Sequence, residues 1–136
     1  MRKDEARTPL RDDTEGSAFA EILSELDRPG SELLAAVFYD EEGETVDYFT
    51  FIDPYETKLI AAYHGVLAVS AASRFDWLSM GGLEVLEIRT QRWDSFTVKV
   101  GSDYYLTVVV ESGEMNVHLQ RGIERVVGKL REETSL

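Results

Sequence analysis

A chain of 136 residues, 43% of them hydrophobic, with 26 acidic and 14 basic side chains, has the composition of one globular domain carrying a net charge of −12. The lack of cysteine excludes a disulfide framework and a thiol nucleophile, and the acidic balance repels phosphate backbones, so the expected partner is a protein and not a nucleic acid. The uncharged stretches are too short and too rich in Ala, Ser and Gly to span a bilayer, and no signal-like apolar segment opens the chain, so no membrane insertion and a cytoplasmic location are expected.

Residues 1–16 carry nine charges of both signs and almost no large apolar side chain, which predicts a disordered tail. Phe19, Ile22, Leu23 and Leu26 follow helical spacing up to Arg28-Pro29-Gly30, predicting a short amphipathic helix. Leu33 to Tyr39 is apolar without alternation, as in a strand covered on both faces. The turn Asp40-Glu41-Glu42-Gly43 leads into Glu44 to Ile52, whose mixed pattern suits a strand near a sheet edge.

Residues 54–73 start a second helix: Asp53 as N-cap, Pro54 at the first position and Glu56 completing a capping box. After Lys58, fifteen residues pass without a formal charge unless His64 is protonated. At 100° per residue, Leu59, Ala62, Tyr63, Val66 and Val69 form a bulky stripe, and Ala61, Gly65, Ala68 and Ala72 form a stripe of small residues on a different side. A helix apolar on both sides needs cover on both. The stripes alone leave open whether the small side docks closely on the helix's own sheet or meets a second copy, with the bulky stripe expected on the sheet in the second case.

A loop with Trp77 and Gly81-Gly82 follows, then three strand patterns. Leu83 to Arg89 alternates imperfectly, Ser95 to Val100 alternates cleanly, and Tyr104 to Val110 is nearly continuous apolar, as in a central strand. Leu119, Ile123, Val126, Val127 and Leu130 mark a closing amphipathic helix, with residues 17–131 as the folded domain and 132–136 as a tail. The order α-β-β-α-β-β-β-α predicts an α+β domain: a five-stranded, mostly antiparallel sheet with helices on both faces, two on one and one on the other.

That order, together with LLAAVFYDEEG, GSDYYLTVVV and LQRGIERVVGKL as first strand and turn, fourth turn and fifth strand, and last helix, resembles the roadblock family of dynein light chains and prokaryotic GTPase regulators. The resemblance spans residues 17–131, although Leu34, Ala35 and Ala36 stand where members often have a glycine. It implies a homodimer whose third strands pair edge to edge while the second helices pack together. On that reading the interface is formed by Ala61, Gly65, Ala68 and Ala72 on the helix and by Leu83, Val85, Glu87 and Arg89 on the strand. It also implies a Ras-like small GTPase or another protein as partner, without enzymatic activity of the module itself.

The residues themselves show no catalytic signature. His64 and His118 lack metal-ligand spacing, Gly81-Gly82 sit between helix and strand in the reverse of a phosphate loop, and no nucleophile elbow is present, so no cofactor or metal is expected. Recognition is better served by Trp93 and Arg92 at the tip of the third-to-fourth strand hairpin, with Arg74 as a further candidate, because Trp and Arg are enriched in binding hot spots. Trp93 can equally fold over the sheet edge, and Trp77, with Phe75, Leu78 and Met80 around it, is expected to be buried. A structural adaptor of longin-like or profilin-like fold, without a GTPase partner, is the second reading, and a sensory domain of the PAS or GAF type a third.

Overall fold

The computed structural model describes residues 7–12 and 15–135. Its elements, in chain order, are α1 (Ala18–Ser24), β1 (Leu33–Asp40), β2 (Thr45–Thr50), α2 (Pro54–Trp77), β3 (Val85–Arg89), β4 (Trp93–Val100), β5 (Tyr104–Glu111) and α3 (Val117–Thr134). The order is the one that the periodicities predict. All neighbours pair antiparallel in the sequence β2-β1-β5-β4-β3, so the two nearly continuous apolar strands, β1 and β5, lie together near the middle and β2 lies at an edge. Gly43, at φ +85°, supplies the left-handed residue that the first hairpin requires.

Each sheet face carries its own core. One side buries Phe38, Leu106, Val108 and Val110 against α1 and α3, through Leu23, Leu26, Ile123, Val126 and Leu130. The other side buries Val37, Tyr39, Tyr48 and Tyr105 beneath α2. Two helices thus cover one face and one covers the other, because amphipathic α1 and α3 each have a single apolar side to hide.

The element ends differ from expectation in two places. α2 continues through Arg74, Phe75 and Asp76 to Trp77, because a helix stops at a cap and not at the first charge. Its last turn closes with Met80 N–H on the Phe75 carbonyl at 3.0 Å and Ser79 in the left-handed region at φ +61°. α3 likewise runs to Thr134, past the position where a C-terminal tail was expected to begin.

The disordered tail predicted for residues 1–16 is corrected for its described part, while residues 1–6 and 13–14 lie outside the described residues. Residues 7–12 lie along β2, with Leu10 bridged to Thr50 and Arg11 paired to Asp47 at 2.8 Å. Composition suggested disorder because the segment has almost no apolar surface to bury. It is held instead by arginines bonded to buried acceptors. Asp47, only 5% exposed, accepts from the Ser17 amide at 2.7 Å, the Ser17 hydroxyl at 2.6 Å, Arg11 Nη2 at 2.8 Å and the Tyr48 amide at 2.8 Å. Ser17 is also the N-cap of α1, so this one carboxylate ties α1 and the N-terminal segment to β2.

Burial alone would raise the Asp47 pKa, but those donors outweigh it and hold the carboxyl below its ordinary value of 3.8. A depressed folded-state pKa means stability that is present above the ordinary carboxylate range and lost as pH falls through the lowered pKa. Asp47→Asn is therefore expected to lower stability by about 1–3 kcal/mol at pH 7. The deficit relative to wild type should shrink as the pH is taken below about 4, as read by urea denaturation of both proteins across that range.

Candidate assembly surface

α2 lies on the sheet through its small residues and presents its bulky ones to solvent, the reverse of the expected orientation. Thr57, Ala61, Gly65 and Ala68 are buried on the sheet side. A Cβ at Gly65 would sit 2.9 Å from Cε2 of Tyr39, so only a glycine lets the helix backbone approach that ring. Tyr39 and Tyr105 stack with centroids 5.9 Å apart, and these two large rings on the central strands fill the space beneath the helix.

Polar pins fix α2 in this position. Thr50 and Thr57 share a hydroxyl hydrogen bond of 2.7 Å at the helix start. His64 Nδ1 lies 2.7 Å from the Ile60 carbonyl, which can only accept, so that nitrogen carries a proton, while Nε2 shares a hydrogen bond of 2.7 Å with the Ser95 hydroxyl. Ser95 is buried under the helix, and the pair therefore joins α2 to β4 as a structural contact. Beneath it, the Tyr39 hydroxyl joins Thr107 at 2.7 Å and Thr107 joins Thr97 at 2.9 Å. Burial pushes the Tyr39 pKa up to about 12 despite these bonds.

Of the predicted interface residues, Ala61, Gly65 and Ala68 are thus interior to the protomer and unavailable to a partner, and Ala72 is half-buried. The solvent side of α2 instead carries Tyr55, Leu59, Tyr63, Val66, Leu67 and Trp77, with Tyr63 at 65%, Val66 at 66% and Trp77 at 84% exposure. Trp77 is therefore not buried over the helix end as expected. Phe75, Leu78 and Met80 are exposed beside it, and none of the last nine residues of α2 is buried. A helix of this length spans about 36 Å. Exposed apolar residues spread along the length of one element make it a candidate interaction surface.

β3 is the other edge of the sheet, pairing only with β4 among the described residues. Leu83 and Leu86 pack against the α2-side core, whereas Val85, Glu87 and Arg89 are exposed. Glu87 and Arg89 pair with each other at 3.0 Å along the same strand. At the hairpin, Trp93 is half-buried and forms the first residue of β4, with the Arg92 guanidinium 4.3 Å from its ring centroid. Arg89 and Arg92 line one open cleft with Asp94, while Arg74 lies elsewhere, beside Val69, Ser73 and Trp77. The three arginines do not converge on one site.

No family profile matches the sequence, and no curated protein matches it. Solved structures match the fold closely. A Roadblock/LC7 domain from Streptomyces avermitilis superposes with a TM-score of 0.78 at 17% identity, over 86% of this chain and 98% of that one. MglB of Myxococcus xanthus gives 0.76 at 10% identity, over 90% and 98%. An MglB described with a tetrameric arrangement gives 0.77 at 14% identity, over 97% and 100%. This chain therefore has the Roadblock/LC7 fold, as its element order and sequence segments implied.

The reversed orientation of α2 makes opposite demands on its two sides. Ala68→Glu should cost the protomer about 3–5 kcal/mol of stability by burying an unpaired carboxylate, whereas Val66→Glu should change its thermal stability by no more than about 0.5 kcal/mol. Thermal melts of both variants at submicromolar concentration check this.

Proposed function

With the Roadblock/LC7 fold as premise, we propose that this chain is a non-enzymatic homodimeric module that scaffolds or regulates a Ras-like small GTPase. The observations that carry the dimer are the apolar outer side of α2 and the edge position of β3, which pairs only with β4 among the described residues. Two copies related by a two-fold axis bring the same patch onto itself, helix against helix, while the β3 edges extend one sheet across both protomers. In that arrangement Glu87 and Arg89 exchange partners, each meeting the opposite charge across the seam. The interface thus uses Tyr63, Val66 and their neighbours on α2, in place of the small stripe, together with Val85, Glu87 and Arg89.

The GTPase reading rests on the resemblance of the sequence segments to the roadblock family and on the shared fold. The described residues also offer binding groups of the right kind. The net charge of −12 favours a partner with a basic surface, and the half-buried Trp93 with Arg92 on its ring provides an aromatic and cationic anchor at an exposed hairpin. As a module that acts by binding, it would alter hydrolysis only inside the partner's own active site. The alternative, an adaptor of longin-like or profilin-like type without a GTPase partner, predicts the same dimer surface and no nucleotide-dependent binding.

Titration of the protein with small GTPases of the same genome, each loaded with GDP or a non-hydrolysable GTP analogue, separates the two. Saturable binding to one of them is expected, weakened at least about tenfold by Trp93→Ala. Absence of binding in either nucleotide state removes the regulatory reading and leaves the adaptor.

A further inference from the structure

The outer edge of β2 is closed by the chain's own N-terminal segment, and the manner of closure defines what else would fit there. An edge strand of an antiparallel sheet leaves alternate N–H and C=O groups pointing outward, ready to pair with another chain. The bond from the Phe51 amide to the Leu34 carbonyl sets the phase, so Thr50 and Tyr48 are the outward residues of β2. The Leu10 amide donates to the Thr50 carbonyl at 2.8 Å, and Arg11 Nη1 donates to the Tyr48 carbonyl at 3.0 Å. The Tyr48 amide turns onto the adjacent Asp47 carboxylate.

Two arginines four positions apart supply most of the remaining contacts. The Arg7 guanidinium lies 3.8 Å from the centroid of Phe51, donates to the Leu33 carbonyl at 2.6 Å and pairs with Asp27 at 3.2 Å. Arg11 pairs with Asp47 at 2.8 Å and lies 4.4 Å from the centroid of Tyr48. Asp12 accepts from the Tyr48 hydroxyl at 2.8 Å and pairs with Lys58 at 3.2 Å, contacts that hold its carboxyl below the usual carboxylate range. The receiving surface thus offers two aromatic faces, two carboxylates and the outward carbonyls of Thr50 and Tyr48. Among the described residues, one backbone bridge, Leu10 with Thr50, holds the segment to the sheet. The rest of the fastening is side-chain hydrogen bonds, ion pairs and cation–π contacts, which another arginine-bearing strand would reproduce.

We propose that the β2 edge is a docking groove for an extended segment of a partner protein with the pattern Arg-x-x-apolar-Arg, and that residues 7–12 occupy it as a resident competitor. Release of the segment exposes the outward groups of Tyr48 and Thr50, and the incoming segment adds a strand to the sheet, its arginines taking the places of Arg7 and Arg11. The acidic net charge of the chain draws such a basic segment in. This groove lies at the edge opposite β3 and does not depend on the α2 interface.

The probe is a fluorescent peptide of residues 7–12, titrated by anisotropy against the full-length wild type and the full-length Arg7→Ala/Arg11→Ala variant. The variant should bind at least about tenfold more tightly than wild type, with affinity falling as salt is raised. A control peptide with both arginines replaced by alanine should not bind. Equal binding of the arginine peptide to a folded variant and to wild type, or no binding to either, overturns the proposal. If the variant does not fold, hydrogen exchange in the wild type decides. The Leu10 amide should exchange at least about a hundredfold faster than the β1 amides, through opening of the segment alone. Exchange of Leu10 only with global unfolding would show a fixed part of the fold and would contradict competition.

Discussion

The space between α2 and the sheet is set by Tyr39 and Tyr105. Both rings project from central strands toward the helix, and their bulk leaves room for hydrogen or a methyl group but not for a branched side chain on the facing helix residue. Gly65 and the flanking Ala61 and Ala68 answer that demand. Because close packing on the sheet takes up the small residues, the large apolar ones are left on the other side, where nothing among the described residues covers them. The exposed apolar side of α2 is therefore a consequence of how the interior is filled.

The same division of labour runs through the polar contacts. Thr50 with Thr57, His64 with Ser95, and the Tyr39-Thr107-Thr97 chain all lie between α2 and the sheet, and each satisfies groups that burial would otherwise leave unpaired. They pin the helix in one rotation about its axis, so that Tyr63, Val66 and Trp77 face outward together. On the far edge, Asp47 does comparable work by collecting Ser17, Arg11 and the Tyr48 amide. One edge of the sheet is thereby closed by the chain and the other, at β3, has no further strand among the described residues.

Much of the fold was legible because local rules agreed. Asp53, Pro54 and Glu56 announce the start of α2, Gly43 announces the first turn, and the unbroken apolar runs of β1 and β5 announce the centre of the sheet. The rotation of α2 was not legible from the helix alone, since both of its sides are apolar and periodicity does not say which faces inward. The missing signal sits on the strands: Tyr39 and Tyr105 in otherwise small or β-branched surroundings call for small residues opposite them. The burial expected for Trp77 fails for a related reason, because apolar neighbours in sequence do not guarantee a core in space. Residues 7–12 eluded composition because two arginines find acceptors on β1, β2 and the α1–β1 loop, contacts that no local pattern encodes.

The central claim is that the bulky side of α2, and not its small-residue side, meets a second copy of the chain. The sequence contains no cysteine, so single cysteines can be placed without background. Cysteine substituted in turn for Leu59, Val66 and Ser73 on the outer side, and for Ala61 on the sheet side, followed by mild oxidation at low micromolar concentration, reads the interface directly. At least one outer position should yield a disulfide-linked species of about twice the 15.4 kDa chain mass while Ala61→Cys stays monomeric on the denaturing gel. Cross-linking at position 61, with none at the three outer positions, would contradict the account.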